Sequence, residues 1–325
     1  MWSELFAFSV GSAGGVAFAN KSKRWLFEYP EIPFAIGIME GDSPFALRRP
    51  TAIENPVLTA ASVTDIAASF VADPFLVVDG DRVLMFFEIM NAKRNKGEIG
   101  LAESRDGYHW EYRGVVLSTQ WHLSYPYVFA WNDAYYMIPE TYEANNVQLF
   151  RATQFPSQWE SVATLLSGAD YVDSSIVNFG NQWWLFTSLT SSEDLLVYYA
   201  PEPTGPWLPH ARNPIVTRNK HIARPGGRMQ VIDGKLYRVA QDDYARYGDA
   251  VWVFEVVELT ATHYREQSLS KQPLLVGTGK LGWNAQGMHH FDVVKFKGQW
   301  LAAVDGYGRD RRLRGLGWRV PWSAK

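Results

Sequence analysis

The chain has 325 residues, the length of about two average domains or of one large all-β ring, and 47% of them are hydrophobic, enough for a sizeable core. With 31 Lys and Arg against 34 Asp and Glu the net charge is −3, which excludes a general nucleic-acid binder, and the absence of cysteine excludes disulfide frameworks, thiolate metal sites and thiol nucleophiles. The 14 Trp, 16 Tyr and 18 Phe suit interleaved sheets and sugar-binding clefts alike.

At the beginning of the chain, Leu5 to Ala19 is mostly small and apolar and ends in Ala17-Phe18-Ala19, like a signal cleavage site. Glu4 is the only charge before it and no Lys or Arg precedes Lys21, so the positive leader is missing. A cytoplasmic location is therefore the default, and a secreted or periplasmic one, with Asn20-Lys21-Ser22 as a glycosylation sequon, the alternative. No apolar run reaches the roughly 18 residues a membrane span needs.

Five segments then repeat one pattern: a polar or Pro/Gly start, an extended apolar run, a tight turn and a second apolar run rich in aromatics. They are Ala72 to Glu88, Ser124 to Glu140, Val172 to Ser188, Gly226 to Asp242 and His290 to Gly306, with turns at Gly80, Asn132, Gly180, Gly234 and Gly298, spaced by 52, 48, 54 and 64 residues. Each reads as a hairpin, because Gly, Asn and Asp accept positive φ in tight turns. Two further extended stretches follow four of them, the last opening near Trp110, Trp159, Trp207 or Tyr264. Four-stranded units at this spacing predict an all-β, five-bladed β-propeller. The fifth hairpin lacks its outer pair. Phe34 to Glu40 and Asn55 to Leu58 match the outer halves elsewhere, so the N-terminal segment is expected to complete the last blade and close the ring. The implied division is an N-terminal extension over 1–33, the propeller over 34–306 and a basic C-terminal tail over 307–325.

Blades pack radially, so equivalent repeat positions converge on one mouth of the central channel. Seven residues before the turns stand Asp73, Tyr125, Asp173, Gly227 and Phe291; eight after them stand Glu88, Glu140, Ser188, Asp242 and Gly306. This ruler gathers Asp73, Asp173, Glu88, Glu140 and Asp242 near the axis, with Arg224, His289 and His290 beside them. Carboxyl groups held close raise one another's pKa, the condition for an acid and a base to coexist in one site, as glycosidic cleavage requires. Alternatively, the acids cap strand ends, pair with Arg224 or Arg228, or hold a structural cation. Trp121 and Tyr125 could line the mouth as a sugar platform or pack between blades.

Ala72-Asp73-Pro74-Phe75, Val172-Asp173 and Gly287-Met288-His289-His290, each opening a blade, resemble the five-bladed propellers of the arabinanase, levansucrase and invertase superfamily. More closely, Trp121 to Phe129, Tyr136 to Thr141, His221 to Gly227 and Trp283-Asn284 resemble the propeller at the N-terminus of plant glucosamine inositolphosphorylceramide transferase and its bacterial relatives. The superfamily resemblance implies Asp73 as base or nucleophile and Asp173 as the aspartate that tunes pKa and orientation. Many of its hydrolases carry their acid at the start of blade four, where this chain has Arg224-Pro225-Gly226-Gly227, so Glu140 is the substitute acid and Glu88 the next. Arg224 could hold a phosphate, a nucleotide-sugar diphosphate or a carboxylate, or simply neutralise Asp173.

The resulting expectation is a carbohydrate-active enzyme acting on a glycosidic bond, with a non-catalytic glycan-binding propeller that assists a glycosyltransferase as the alternative. The partner is a carbohydrate or glycoconjugate. No cofactor is required; a structural cation such as calcium at the axis, with His290 as the candidate ligand, is the option the arabinanase resemblance adds.

Overall fold

A computed structural model of the chain describes residues 27–313. The signal-like stretch, the Asn20 sequon and the tail from residue 314 onward, with Trp318 and Trp322, lie outside the described residues.

The described chain is built almost wholly of strands, arranged as five blades in a ring. Blade 1 comprises Ala68–Asp79, Arg82–Asn91, Lys96–Ser104 and Glu111–Leu117, and blade 2 Ser124–Trp131, Ala134–Glu140, Asn146–Gln154 and Gln158–Ser167. Blade 3 comprises Tyr171–Phe179, Gln182–Leu189, Leu195–Ala200 and Leu208–Pro209. In blade 4, Gln230–Ile232, Lys235–Asp242, Ala250–Leu259 and Tyr264–Ser268 are joined by Leu275–Val276. Blade 5 draws on both ends of the chain: Phe291–Phe296 and Gln299–Arg309 pair on with Glu31–Ser43 and Ala46–Arg48. Ile38 faces Ala303 and Gly37 faces Val304 in that antiparallel ladder, so the N-terminal strand closes the ring as its sequence pattern predicts.

The innermost hairpins turn through two residues. Asn132-Asp133, Gly180-Asn181, Asp233-Gly234 and Lys297-Gly298 all have positive φ at both positions, the mirror-image turn that matches strand twist. Blade 1 differs: its turn pair is Gly80-Asp81, between the partners Asp79 and Arg82, and only Gly80 is left-handed.

Because each blade is sandwiched between two others, its middle strands are buried on both faces. Val83 to Ile89 is continuously buried rather than alternating. Five apolar clusters fill the seams. Phe87, Ile38 and Leu301 pack between blades 5 and 1; Phe86 and Met137 between 1 and 2; Ile138 and Leu185 between 2 and 3; Phe186 and Leu236 between 3 and 4; Val239 and Trp283 between 4 and 5. Seams widen away from the axis, and large rings fill the wedge, which accounts for much of the aromatic composition.

At the same point in several blades the inner strand bulges. One extra residue is inserted between Ala72 and Phe75, between Ser124 and Tyr127, and between Val172 and Ser175. The first bulged residue is left-handed in each: Asp73 at φ 52°, Tyr125 at 44° and Asp173 at 50°. Aspartate tolerates that conformation better than most residues. The bulge rotates the backbone N–H out of its own ladder and toward the neighbouring blade.

Candidate active site

Those freed N–H groups bind the blades to one another through carboxylates. Asp73 N donates to Asp305 of blade 5 (3.0 Å), Tyr125 N to Asp73 (3.2 Å), and Asp173 N to Glu140 (3.1 Å). In blade 4, Gly226-Gly227 replace an acid, and Phe291 N donates to the Gly226 carbonyl instead (2.8 Å). The acids converge on the axis because the ring's own hydrogen bonding requires acceptors there.

Asp173 accepts from Arg224 Nε (2.5 Å) and Gln241 Nε2 (2.7 Å). Arg224 Nη2 also lies 3.6 Å from Glu140 Oε2, and its guanidinium stands over the Tyr247 ring at 5.4 Å. Burial opposes the Arg224 charge, but Asp173, Tyr247 and Glu140 outweigh it and hold the guanidinium firmly protonated. His289 donates through Nδ1 to Asp305 (2.7 Å), and its Nε2 is 3.6 Å from Asp73 Oδ1. The imidazole packs between Phe34 of the ring-closing strand (4.7 Å) and Tyr247 (5.3 Å).

These contacts divide the protonation states. Burial disfavours a charged His289, but Asp305 reverses this and raises it to about 10. Burial, followed by repulsion from Asp173 and Asp305, lifts Asp73 to about 7 despite His289. Glu140 is raised well above the usual carboxylate range by burial and then by Asp173, and Glu88 by burial and then by Asp73 and Glu140. For Asp305 burial acts upward, yet the His289 imidazolium keeps it below its ordinary value.

Asp73, Glu88, Glu140, Asp173, Arg224 and His289 thus come together. Tyr125 lies beneath them, 1% exposed, its hydroxyl bound to Ser175 Oγ and to the Gly227 carbonyl, each at 2.8 Å. With Phe75 and His290 its ring closes the floor. His290 is fully buried and lowered by burial to about 3, so it is neutral, and its Nδ1 stands 3.7 Å from Asp73 Oδ1, with no hydrogen-bonding side chain on either ring nitrogen among the described residues. Below it Arg228 of blade 4 donates to Asp292 (2.8 Å) and to the carbonyls of Val128 (2.7 Å) and Leu76 (3.2 Å), plugging the channel across four blades.

Two candidates lie elsewhere. The Asp242 carboxylate is turned aside, held by His221 Nδ1 (2.9 Å) and Trp252 Nε1 (3.2 Å); Asp243, one residue on, faces the mouth. Trp121 packs into the seam between blades 1 and 2 rather than at the mouth. The repeat ruler also misses Asp305 and Gln241, which stand seven residues after their turns, opposite the bulge, where no other blade has an acid. In blade 5 the bulge comprises His289 and His290, two residues ahead of the ruler's Phe291, since Gly287 pairs with Tyr307 and Phe291 with Val304. His122, whose Nε2 is 3.4 Å from Glu88 Oε1, carries no repeat signal at all.

Asp73, His289 and Asp305 offer ligand atoms within 4.8 Å of one another, the spacing a metal ion would use. The His289–Asp305 hydrogen bond already commits a ring nitrogen and a carboxylate oxygen, and the imidazole it holds is itself a cation. The donor set therefore fits this imidazolium better than a divalent ion.

Next to the carboxylates a cavity of about 260 Å³ opens between blades 3 and 4, lined by Ser188, Thr190, Lys220, Arg224, Asp243 and Tyr247 among others. Arg224 touches both the cavity and the acid cluster. The volume suits about one sugar ring.

The family described as "Glucosamine inositolphosphorylceramide transferase 1, N-terminal" matches residues 28–307. Glucosamine inositolphosphorylceramide transferase 1 of Oryza sativa subsp. japonica is 35% identical over 343 residues, covering 94% of this chain and 46% of that protein. Its namesake of Arabidopsis thaliana is 37% identical over 296 residues, covering 84% of this chain and 39% of that protein. The chain spans less than half the length of these curated relatives. Among solved structures, a glycosyl hydrolase from Bacteroides ovatus superposes with a TM-score of 0.60 at 11% identity, over 85% of this chain and 96% of that one, a likeness of fold. Among the described residues, no helix is long and apolar enough to cross a membrane.

Proposed function

We propose, for a chain that belongs to the glucosamine inositolphosphorylceramide transferase 1 N-terminal family, a carbohydrate-active centre at the propeller mouth that acts on a glycosidic bond. A carbohydrate-related function is common to the transferases it resembles and to the glycosyl hydrolase that shares its fold. In this reading Glu140, whose pKa burial raises, gives its proton to the leaving glycosidic oxygen. Asp73, with a pKa near neutrality, takes the proton of the incoming water or sugar hydroxyl, or attacks as nucleophile. Asp173, tied to Arg224, orients Glu140 through its backbone N–H. The observation that carries the reading is the convergence in one mouth of Asp73, Glu140 and Asp173, with burial raising the first two above the ordinary carboxylate range.

Asp73→Asn is the test, because asparagine also accepts the φ of 52° and the fold should survive. On a panel of glycosides and activated sugars the variant should lose about 100-fold or more in turnover, with an unchanged circular dichroism spectrum. Turnover equal to that of the parent overturns the assignment.

A second reading, glycan binding without chemistry, is favoured by the Arg224 ion pair with Asp173, which stands between the cavity and the acids. Saturable sugar binding with no product from any donor or glycoside supports it; released product ends it.

A further inference from the structure

The loop 243–249 of blade 4 separates two depressions. Its axial side presents Asp243 and Tyr247 to the cavity just described. Arg246, the residue before Tyr247, lines a second depression of about 480 Å³ on the other flank, together with Tyr29, Lys280, Gln286 and Arg309. Among the described residues, the charged side chains lining it are three cations from three separate segments, with no carboxylate. This concentration runs against the chain's net charge of −3.

The two guanidinium groups are held, not merely present. With its amide oriented so that nitrogen donates to the Gly308 carbonyl (2.8 Å), Gln286 accepts through oxygen from Arg309 Nε and Nη2, both at 3.0 Å. Among the described residues nothing else binds that guanidinium, so its Nη1 edge is left for a ligand. Arg246 is positioned through Nη2 by Asp249 (3.4 Å), and the Tyr307 hydroxyl, on the strand that ends in Arg309, donates to the Tyr247 carbonyl (3.0 Å), tying the loop to blade 5.

We propose that this depression is an oxyanion site for a phosphate group carried by the glycoconjugate whose sugar enters the mouth. A planar guanidinium set by Gln286, a second guanidinium and an ammonium are the donor set that a phosphate or phosphodiester fits. The link to a sugar rests on the function proposed above; the binding of phosphate does not, and the two are tested apart.

Inorganic phosphate titrated calorimetrically into the full chain should bind the parent, more weakly as salt rises. The double variant Lys280→Gln/Arg309→Gln should lose about tenfold or more in affinity. Lys280→Gln alone, a change at an exposed side chain, should lose part of it, which keeps the inference testable if the double variant folds poorly. Arg105→Gln, paired with Asp81 at a distance from the depression, and Asp73→Asn should bind phosphate like the parent, so failure of the catalytic reading does not register here. Absent phosphate binding, or equal binding by parent and both Lys280 variants, overturns the site. Co-sedimentation with phosphatidylcholine vesicles with and without phosphatidylinositol separates the sources. Inositol-lipid binding that the double variant loses assigns the phosphate to a lipid headgroup; phosphate binding without vesicle binding assigns it to a soluble sugar phosphate; vesicle binding undiminished in the double variant overturns the proposal.

Discussion

Asp305→Ala removes at one stroke the acceptor of the Asp73, His289 and His290 backbone N–H groups and the partner of the His289 ring. It leaves a buried imidazolium without its counter-ion, so denaturant unfolding should register a loss of about 3–5 kcal/mol. A loss under about 1 kcal/mol would mean that the mouth is less tightly coupled than its geometry implies. Asp73 makes a different prediction. Its folded pKa of about 7 lies above the ordinary 3.8, so between those values the native state keeps a proton that the unfolded chain has released, and stability falls as pH rises. Asp73→Asn removes this term. Its melting temperature relative to the parent should rise from pH 4 to pH 8, and a constant difference would contradict the shift. At this scale the repeat pattern reveals the acids that recur, Asp73 and Asp173, Glu88 and Glu140. It does not reveal Asp305, which no other blade repeats, nor that Asp242 turns away while Asp243 faces in.

The bulged inner strand is the element that converts a packing motif into a site. Each of these bulges frees an N–H, and an acid of the preceding blade in the ring accepts it, so structure and candidate chemistry share the same side chains. Blade 4 meets the same geometric demand without an acid. Gly227 sits at φ 151°, and a Cβ there would lie 1.8 Å from the Phe291 carbonyl oxygen. Gly227→Ala should therefore cost about 3 kcal/mol or more, read as a lowered melting temperature, with the seam between blades 4 and 5 exchanging amide hydrogens faster. Wild-type stability would show that the backbone approach can relax. Turn chemistry made the hairpins legible, because Gly, Asn and Asp at two-residue spacing have few other uses. The bulges were not legible, since an inserted residue leaves no mark until the partner strand's register is known.

For the whole molecule, closure is the controlling fact. The strand Glu31–Ser43 pairs with Gln299–Arg309, and it also supplies Phe34 to the wall beside His289. Deleting residues 1–45 should open the ring, expose the edge of Gln299–Arg309 and abolish cooperative thermal unfolding, with association visible in size-exclusion chromatography. A monomer that still melts cooperatively would mean that four complete blades and one half-blade suffice. The number of blades, their order and the origin of the closing strand were all written in the local pattern of turns and apolar runs, because hairpins are short-range structures whose register is set within about 20 residues. Which carboxyls have raised pKa values, which cation neutralises their neighbours and which side of a loop faces the axis were decided only when segments 33 to 232 residues apart met. Those properties depend on burial and on distances of a few ångströms, and no one-dimensional spacing specifies either.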